Sequence, residues 1–293
     1  MAHQKSTLNH WITNAAIMTF VRGLGLLPYE TRSALMGRFM RGWLGRIVKY
    51  RRRVETNLNH IYPNMPANDQ ARIADDTLNN AGRSFIENAY PEGMYQKLDK
   101  IELWGAGVEA VLNAKANGQG VVFVSGHFGN HEAFRAALYQ HGIKVGGIYR
   151  PMANPYFNKH YRKWGDIGGR SGQLFKTDRK GTLAFRKALK NGEQMILLLD
   201  IAVHNGKEMM FMGKPAMTST AAASFALSAG ALYVPYFAMR NPDKTSFSIE
   251  IAEPIAHSDA DTMTQAANTI IEDHIHQDPG NWFWIHRRWK HFI

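Results

Sequence analysis

The chain has 293 residues, 45% of them hydrophobic and 20% charged, which is enough to bury the core of one large globular domain. It contains no cysteine, so disulfides, thiolate catalysis and cysteine-bound metal clusters are excluded. The net charge of +11 is concentrated at the start, where residues 1–60 carry ten lysines and arginines against two acidic residues, and this asymmetry predicts an anionic partner.

The first informative element is an amphipathic helix predicted over residues 30–54. Its apolar face consists of Leu35, Met36, Phe39, Met40, Trp43, Leu44, Ile47 and Val48. Arg38 and Arg41 fall on the opposite side. The pattern favours a helix that lies on an anionic lipid surface with Trp43 inserted, although a core-packed helix with a solvated basic face has the same pattern.

The best candidate for a transmembrane segment, residues 11–28, is interrupted by Asn14 and Arg22, so no membrane span is predicted. We therefore expect a cytoplasmic, peripheral protein. Residues 1–60 are assigned to a basic amphipathic membrane-association region and residues 61–293 to an α/β domain.

Helices and strands alternate along the rest of the chain. Helices are predicted over 68–90, 106–117, 129–141, 155–165, 180–191, 218–229 and 259–277, and strands over 120–125, 143–149, 195–200, 232–239 and 247–251. The strands 120–125 and 195–200 are apolar almost throughout, which predicts an α/β fold with a mostly parallel central sheet covered by helices on both faces. His127 and Asp200 fall at or just beyond the ends of these strands, where ligands bind in such folds.

His127 and Glu132 are the first catalytic candidates. An imidazole with an ordinary pKa of about 6.5 can take a proton near neutrality if a partner fixes its tautomer. Residues five apart on a continuous helix are separated by about 140°, so the pair requires His127 in a loop and Glu132 in the first helical turn. Gly126 and Gly129 make that bend easy. The alternative is a capping histidine and a glutamate that stabilises a helix N-terminus.

His127 and His131 are four residues apart and could share a metal, but no third ligand is evident and no metal is predicted. The sequence contains neither a Gly-x-Ser-x-Gly nucleophile motif nor a Gly-rich nucleotide-binding motif. No cofactor is implied.

Several motifs in order resemble the late acyltransferases of lipid A biosynthesis, the lauroyl and myristoyl transferases of Gram-negative bacteria. The block from Gly120 to Glu132 resembles the His-x4-Glu/Asp block of that family, and further similar stretches run from about residue 10 to 290. These stretches are 57–63, 149–155, 211–218 and the Trp-x-His-x-Arg-Trp segment within 282–290, with Asp200 at a strand end where the family carries an aspartate. The resemblance implies a glycerolipid-acyltransferase-like fold.

The resemblance also implies transfer of a fatty acyl chain from an acyl carrier protein or coenzyme A thioester to a hydroxyl of an anionic lipid A precursor. His127 would be the general base and Glu132 its orienting partner. Arg170, with Arg162 as second choice, would stabilise the oxyanion. Asn130, Arg150, Arg162 and Asp200 are the expected substrate contacts, and Trp43, Arg38, Arg41, Arg287 and Arg288 the expected membrane or partner contacts.

Two departures from the family pattern bear on specificity. His131 stands where the family often has an aromatic residue such as tryptophan, and Ile201 stands where glutamine is common after the aspartate. An acyltransferase that acts on another membrane lipid therefore stays open as an alternative. A basic nucleic-acid-binding protein has support only from charge and aromatic content. The predicted site of action is the cytoplasmic face of the bacterial inner membrane, with no nucleic acid partner.

Overall fold

A computed structural model of the protein describes residues 2–99 and 101–293. Its helices are α1 (Ala2–Gly25), α2 (Tyr29–Phe39), α3 (Gly45–Ile47), α4 (Tyr50–Ile61), α5 (Ala67–Ala89), α6 (Glu92–Leu98), α7 (Val108–Ala116), α8 (His131–Tyr139), α9 (Pro155–Gly165), α10 (Arg179–Lys190), α11 (Ala221–Ala229) and α12 (Ala260–Gln277). Its strands are β1 (Leu103–Trp104), β2 (Val121–Ser125), β3 (Val145–Tyr149), β4 (Leu174–Lys176), β5 (Gln194–Leu198), β6 (Lys207–Phe211), β7 (Lys214–Thr218), β8 (Leu232–Arg240) and β9 (Phe247–Ile251).

The described strands form a seven-stranded sheet in the order β1-β9-β8-β2-β5-β3-β4, together with a separate β6–β7 hairpin. Within the large sheet, β8 and β9 are antiparallel, and the other neighbouring pairs are parallel. The predicted mixed, mostly parallel sheet is therefore confirmed. The hairpin turns at Met212 and Gly213, whose φ angles of 55° and 70° suit a type I′ turn.

The central strand β2 shows that helices cover both faces of the sheet. All five of its residues are buried. Val122 and Val124 belong to one apolar cluster with residues of α11 and α12, whereas Val121 and Phe123 belong to a second cluster with residues of α7 and α8. Because successive side chains of a strand point to opposite faces, these two clusters lie on opposite sides of the sheet.

Most predicted elements of the α/β region are confirmed, with boundaries displaced by one to three residues. Side chains cap the N-termini of two of these helices: Asn154 accepts from the backbone N–H groups of Tyr156 and Phe157 at the start of α9, and Asp259 caps α12 in the same way. The short strands β1 and β4 and the hairpin strands β6 and β7 were missed, because two- and three-residue strands and a lysine- and methionine-bearing hairpin carry little periodic signal.

The prediction of one continuous helix over 30–54 is wrong. A π-helical turn (Met40–Leu44) follows α2, and the chain breaks at Lys49, whose φ of 60° lies in the left-handed region. A left-handed lysine ends the hydrogen-bonded run, so α4 starts in a new direction. The predicted apolar face is only partly buried: Met36 and Met40 are buried, whereas Trp43 is 60% exposed.

The N-terminal helices pack onto the rest of the protein. Val21, Met36 and Leu58 belong to the same buried cluster as Val122 of the central sheet. The border predicted near residue 60 falls at the end of α4. Because the helices before it share a hydrophobic core with the sheet, the border does not separate two cores. That residues 1–60 form a membrane-association region stays a prediction. Within residues 2–99 and 101–293, every helix is too short or too polar to cross a membrane.

Candidate active site

Adjacent parallel strands bring the two main candidates together. Strand β2 pairs with β5 in a register that places Ser125 opposite Leu198. His127 and Asp200 each lie two residues beyond this pair, at the carboxyl edge of the sheet. The loop after β2 then turns at Gly129, whose φ is 47° and where a Cβ atom would lie 2.2 Å from the carbonyl oxygen of Ala238. Only glycine fits this turn, which leads directly into α8.

Asp200 holds His127 through two hydrogen bonds. The ring Nδ1 of His127 lies 2.7 Å from Asp200 Oδ1, and the backbone N–H of His127 donates to Asp200 Oδ2 at 2.7 Å. The indole Nε1 of Trp282 also donates to Oδ2 at 2.8 Å. Burial works to raise the pKa of Asp200, but the His127 imidazole and these donors overcome it and hold the pKa well below its usual range.

The protonation pattern of the pair follows from this environment. An ionised Asp200 only accepts hydrogen bonds, so Nδ1 of a neutral His127 must carry the proton and Nε2 keeps its lone pair. The side chain of His127 is 20% exposed and that of Asp200 is fully buried. This is the geometry that a general base with a buried orienting carboxylate requires.

Among the described residues, His127 and Glu132 do not bond each other directly, and a catalytic role for Glu132 stays a prediction. Glu132 forms an ion pair with Arg135 one turn along α8, and its Oε1 lies 3.5 Å from Nε2 of His131. No hydrogen bond or ion pair joins Glu132 to His127 among the described residues. Burial opposes ionisation of Glu132, yet Arg135 and His131 lower its pKa to about 2. The side chain of Glu132 points toward Arg135, because residues three apart on a helix share a face.

A second imidazole lies directly against His127. The ring of His286 is 4.5 Å from that of His127, centroid to centroid, in an edge-on arrangement. Its Nε2 is buried without a hydrogen-bond partner within the described chain. Burial first, and His127 second, lower the pKa of His286 to about 4, so this imidazole is neutral at physiological pH. The amide of Asn57 fixes the backbone here by donating to the carbonyls of Trp284 and His286, both at 2.7 Å.

Asn130, expected to contact substrate, is instead a structural cap. Its side-chain oxygen accepts from the backbone N–H of Glu132 at the start of α8, and its amide donates to Asn88 at 2.9 Å and to Glu87 at 3.2 Å. Glu87 is itself fully buried and ion-paired with Arg240. With 1% of its surface exposed and its polar atoms bonded, Asn130 positions the loop and has no atom free for a ligand.

The predicted oxyanion arginine, Arg170, is committed elsewhere. Its guanidinium forms an ion pair with Asp99 at 3.0 Å and lies over the rings of Tyr95 and Tyr139. It makes no hydrogen bond or ion pair with His127 within the described chain, so a role at the reacting centre would require it to leave these partners.

The other predicted arginines differ in position. Arg162 is exposed in the last turn of α9. Arg150 is exposed directly after β3, which is the next strand beyond β5. Because neighbouring strands are about 4.8 Å apart, the chain at Arg150 leaves the same carboxyl edge about 10 Å from the strand that carries His127.

Arg288, expected at the surface, is a core residue. None of its surface is exposed, and its guanidinium donates to the carbonyl of Met217 at 2.8 Å and the hydroxyl of Thr218 at 2.6 Å. It also lies over the ring of Phe211, and burial lowers its pKa to about 10. The remaining predicted contact residues are exposed: Trp43, Arg38, Arg41 and Arg287.

Sequence reasoning missed three residues at this site. Trp282, fully buried, bonds Asp200 from a segment 82 positions away, and no local pattern indicates this contact. The sequence indicated His286 only as the histidine of the Trp-x-His-x-Arg-Trp segment, with no role assigned to it. Arg135 could have been found, since a glutamate and an arginine three apart on a predicted helix are an expected ion pair.

Comparison with known proteins finds similarity across nearly the whole chain. The sequence model of the bacterial lipid A biosynthesis acyltransferases matches residues 2–291. A lipid A biosynthesis acyltransferase from Haemophilus influenzae is 28% identical over 92% of this chain and 87% of its own length. The lipid A biosynthesis lauroyltransferase of Escherichia coli is 26% identical over 81% of this chain and 78% of its own length.

Among solved structures, the 1-acyl-sn-glycerophosphate acyltransferase from Thermotoga maritima is similar with a TM-score of 0.40 and 11% identity, over 87% of this chain and 99% of that one. The sequence matches define an O-acyltransferase. The chain belongs to the bacterial lipid A biosynthesis acyltransferase family.

Proposed function

We propose that this protein transfers a fatty acyl chain from an acyl thioester, carried by acyl carrier protein or coenzyme A, to a hydroxyl of a lipid A precursor. The observation that carries the proposal is the 2.7 Å contact between His127 Nδ1 and the buried Asp200 carboxylate, at the carboxyl edge of the sheet. In a chain of this family, such a pair supplies the base that a direct attack by a hydroxyl requires.

The reaction follows from the protonation pattern. Nε2 of His127 takes the proton of the acceptor hydroxyl as its oxygen bonds to the thioester carbonyl carbon. Asp200 stabilises the resulting imidazolium. When the tetrahedral intermediate collapses, the carbon–sulfur bond breaks, and the imidazolium returns the proton to the departing thiolate. No acyl-enzyme intermediate is needed, because the thioester is already activated.

Glu132 serves the site indirectly in this proposal. Its ion pair with Arg135 fixes the first turn of α8, and Arg135 in turn donates to the carbonyls of Val145 and Gly165. This ties the His127 loop to β3 and to the end of α9. Arg150, exposed at the same edge of the sheet, is available to contact substrate.

We also propose that the N-terminal helices rest on the cytoplasmic face of the inner membrane. Leu8, Trp11 and Ile12 of α1 are 50–56% exposed, and Trp43 is 60% exposed. The rings of Phe20, Phe39 and Trp43 form a continuous row, with centroids 5.0 and 5.5 Å apart, that joins α1 to the π-helical turn. With Arg38 and Arg41 also exposed, this surface combines apolar and cationic groups as interfacial helices do.

The proposal is tested by mass spectrometry of lipid A from cells with and without the gene, complemented with wild type or His127→Ala. We expect one acyl chain to be missing without the gene, restored by wild type and not by the variant. Purified protein incubated with lipid A precursor and an acyl thioester should show the same dependence on His127. Unchanged lipid A in the deletion strain, combined with no transfer in vitro, would exclude the proposed acceptor.

A further inference from the structure

A cationic cavity of about 410 Å³ has no role in the chemistry described above. Two segments more than 230 positions apart line it: the start of α4 and the C-terminal segment. They contribute Lys49, Arg52, Arg53, Arg287 and Lys290. Among the described residues that line the cavity, none is acidic.

No acidic side chain among the described residues offsets the charge of the five cations that line this cavity. None of its five cations forms an ion pair with a described residue. Arg51, in the same run of three arginines, behaves differently, because it pairs with both Glu55 and Asp75. Gathering like charges around one cavity is unfavourable unless an anion occupies it. Arginine side chains are suited to phosphate, which they bind through paired hydrogen bonds.

The backbone at Lys49 is a second, independent observation. Lys49 has a φ of 60°, a conformation that costs a non-glycine residue about 1 kcal/mol. A glycine would relieve this strain at the junction between α3 and α4. The chain has a lysine there, and its side chain lines the cavity.

Two contacts place the cavity next to the reacting centre. Asn57 forms part of its wall and donates to the backbone carbonyl of His286, whose ring lies 4.5 Å from His127. Val48 and Lys49 also line the cavity. They directly follow Ile47, which is 57% exposed and lies four residues after the exposed Trp43. The cavity wall is therefore connected to His127 through Asn57 and His286, and it follows directly along the chain from the apolar surface proposed to face the membrane.

We propose that this cavity binds a phosphate group of the glycolipid acceptor and so presents the acceptor hydroxyl to His127. The inference rests on the proposed function, because it assumes a phosphorylated glycolipid substrate. A lipid headgroup fits this position because its acyl chains can stay at the apolar surface while the phosphate enters the cavity. The phosphate of the acyl donor's pantetheine arm is the competing source.

The kinetic test compares the cavity variant Arg53→Gln/Arg287→Gln with the control Arg186→Gln/Lys187→Gln. The control removes two exposed cations of α10 that form no ion pair with a described residue. Transfer is measured with a phosphorylated glycolipid and with the same glycolipid after phosphatase treatment. We expect the cavity variant to raise KM for the phosphorylated acceptor at least tenfold, with little change in kcat, and the control to match wild type. With the dephosphorylated acceptor, wild type and the cavity variant should have the same KM.

Two results would overturn the proposal: equal KM values for the cavity variant and the control, or a defect that persists without acceptor phosphate and appears in KM for the acyl donor. The variant Lys49→Gly controls for loss of stability, because it removes one cation of the cavity and also relieves the backbone strain at this position. Its melting temperature should not fall while its KM rises.

A binding measurement separates this proposal from the proposed function. Pyrophosphate binding, followed by ³¹P NMR without any acyl donor, should weaken at least tenfold in the cavity variant and stay unchanged in the control. If no glycolipid is acylated but this difference is present, the proposed function fails and the phosphate cavity stands. If acylation occurs but both proteins bind pyrophosphate equally, the cavity proposal alone fails.

Discussion

Asp200 contacts His127 twice, once at the ring Nδ1 and once at the backbone N–H, with both distances 2.7 Å. One carboxylate thus fixes both the position of the loop and the tautomer of the imidazole. The indole of Trp282 supports the same carboxylate from the opposite end of the chain. This geometry makes Asp200, rather than Glu132, the residue through which the base is oriented.

Replacing Asp200 with asparagine should block the base while keeping the fold. The amide oxygen can replace Oδ2 as acceptor for the His127 backbone and Trp282. The amide NH₂ would then face Nδ1 and force the proton onto Nε2, which no longer accepts the hydroxyl proton. We expect transfer to fall by about 10³-fold or more, with a melting temperature within a few degrees of wild type. Near-normal transfer in this variant would show that Asp200 does not set the tautomer.

Glu132→Ala should lose stability as well as activity, because it leaves the buried Arg135 without its partner. Removing one member of a buried ion pair costs about 3 kcal/mol or more. The double variant Glu132→Ala/Arg135→Met should recover a large part of that loss, since it leaves no uncompensated charge. Urea unfolding of the two single variants and the double variant measures the coupling, and strictly additive losses would contradict the ion pair.

His286 should make stability depend on pH in a defined window. Its pKa is lowered from 6.5 to about 4 in the folded protein, so below pH 6.5 the unfolded state binds the proton more readily. The stabilising contribution is therefore fully present above pH 6.5 and is lost as the pH falls toward 4, by on the order of 3 kcal/mol. His286→Phe, which keeps a ring and removes the titration, should show a smaller loss over that window in denaturant unfolding. Identical pH profiles would rule out a buried neutral His286.

Trp43→Ser should weaken binding to vesicles that contain anionic lipid by about tenfold, since burying part of an exposed aromatic side chain is worth about 1.5 kcal/mol. The matched control is Trp104→Ser, because Trp104 is 51% exposed on β1 at the far edge of the sheet. Vesicle flotation measures both variants. Equal binding by wild type and Trp43→Ser would remove this tryptophan from the membrane-facing surface.

Local sequence patterns predicted much of the fold and part of the site. The apolar run at 121–125 is a strand buried on both faces, and the helices predicted over 155–165 and 259–277 are α9 and α12. The burial of individual polar side chains was predicted less accurately than the strands and helices. Arg288 and Asn130 are polar residues in motif positions, yet tertiary contacts from other segments use their hydrogen-bonding groups inside the core.

By itself, the sequence determined that a histidine and an aspartate end two apolar strands, because runs of buried residues and the turns that follow them are local features. It did not determine which carboxylate meets His127. Glu132 is five residues away along the chain and Asp200 is 73, yet the adjacency of β2 and β5 in register brings Asp200 to the histidine, while the helical spacing of α8 turns Glu132 to Arg135. Strand order is a property of the whole sheet, and only the tertiary structure fixes it.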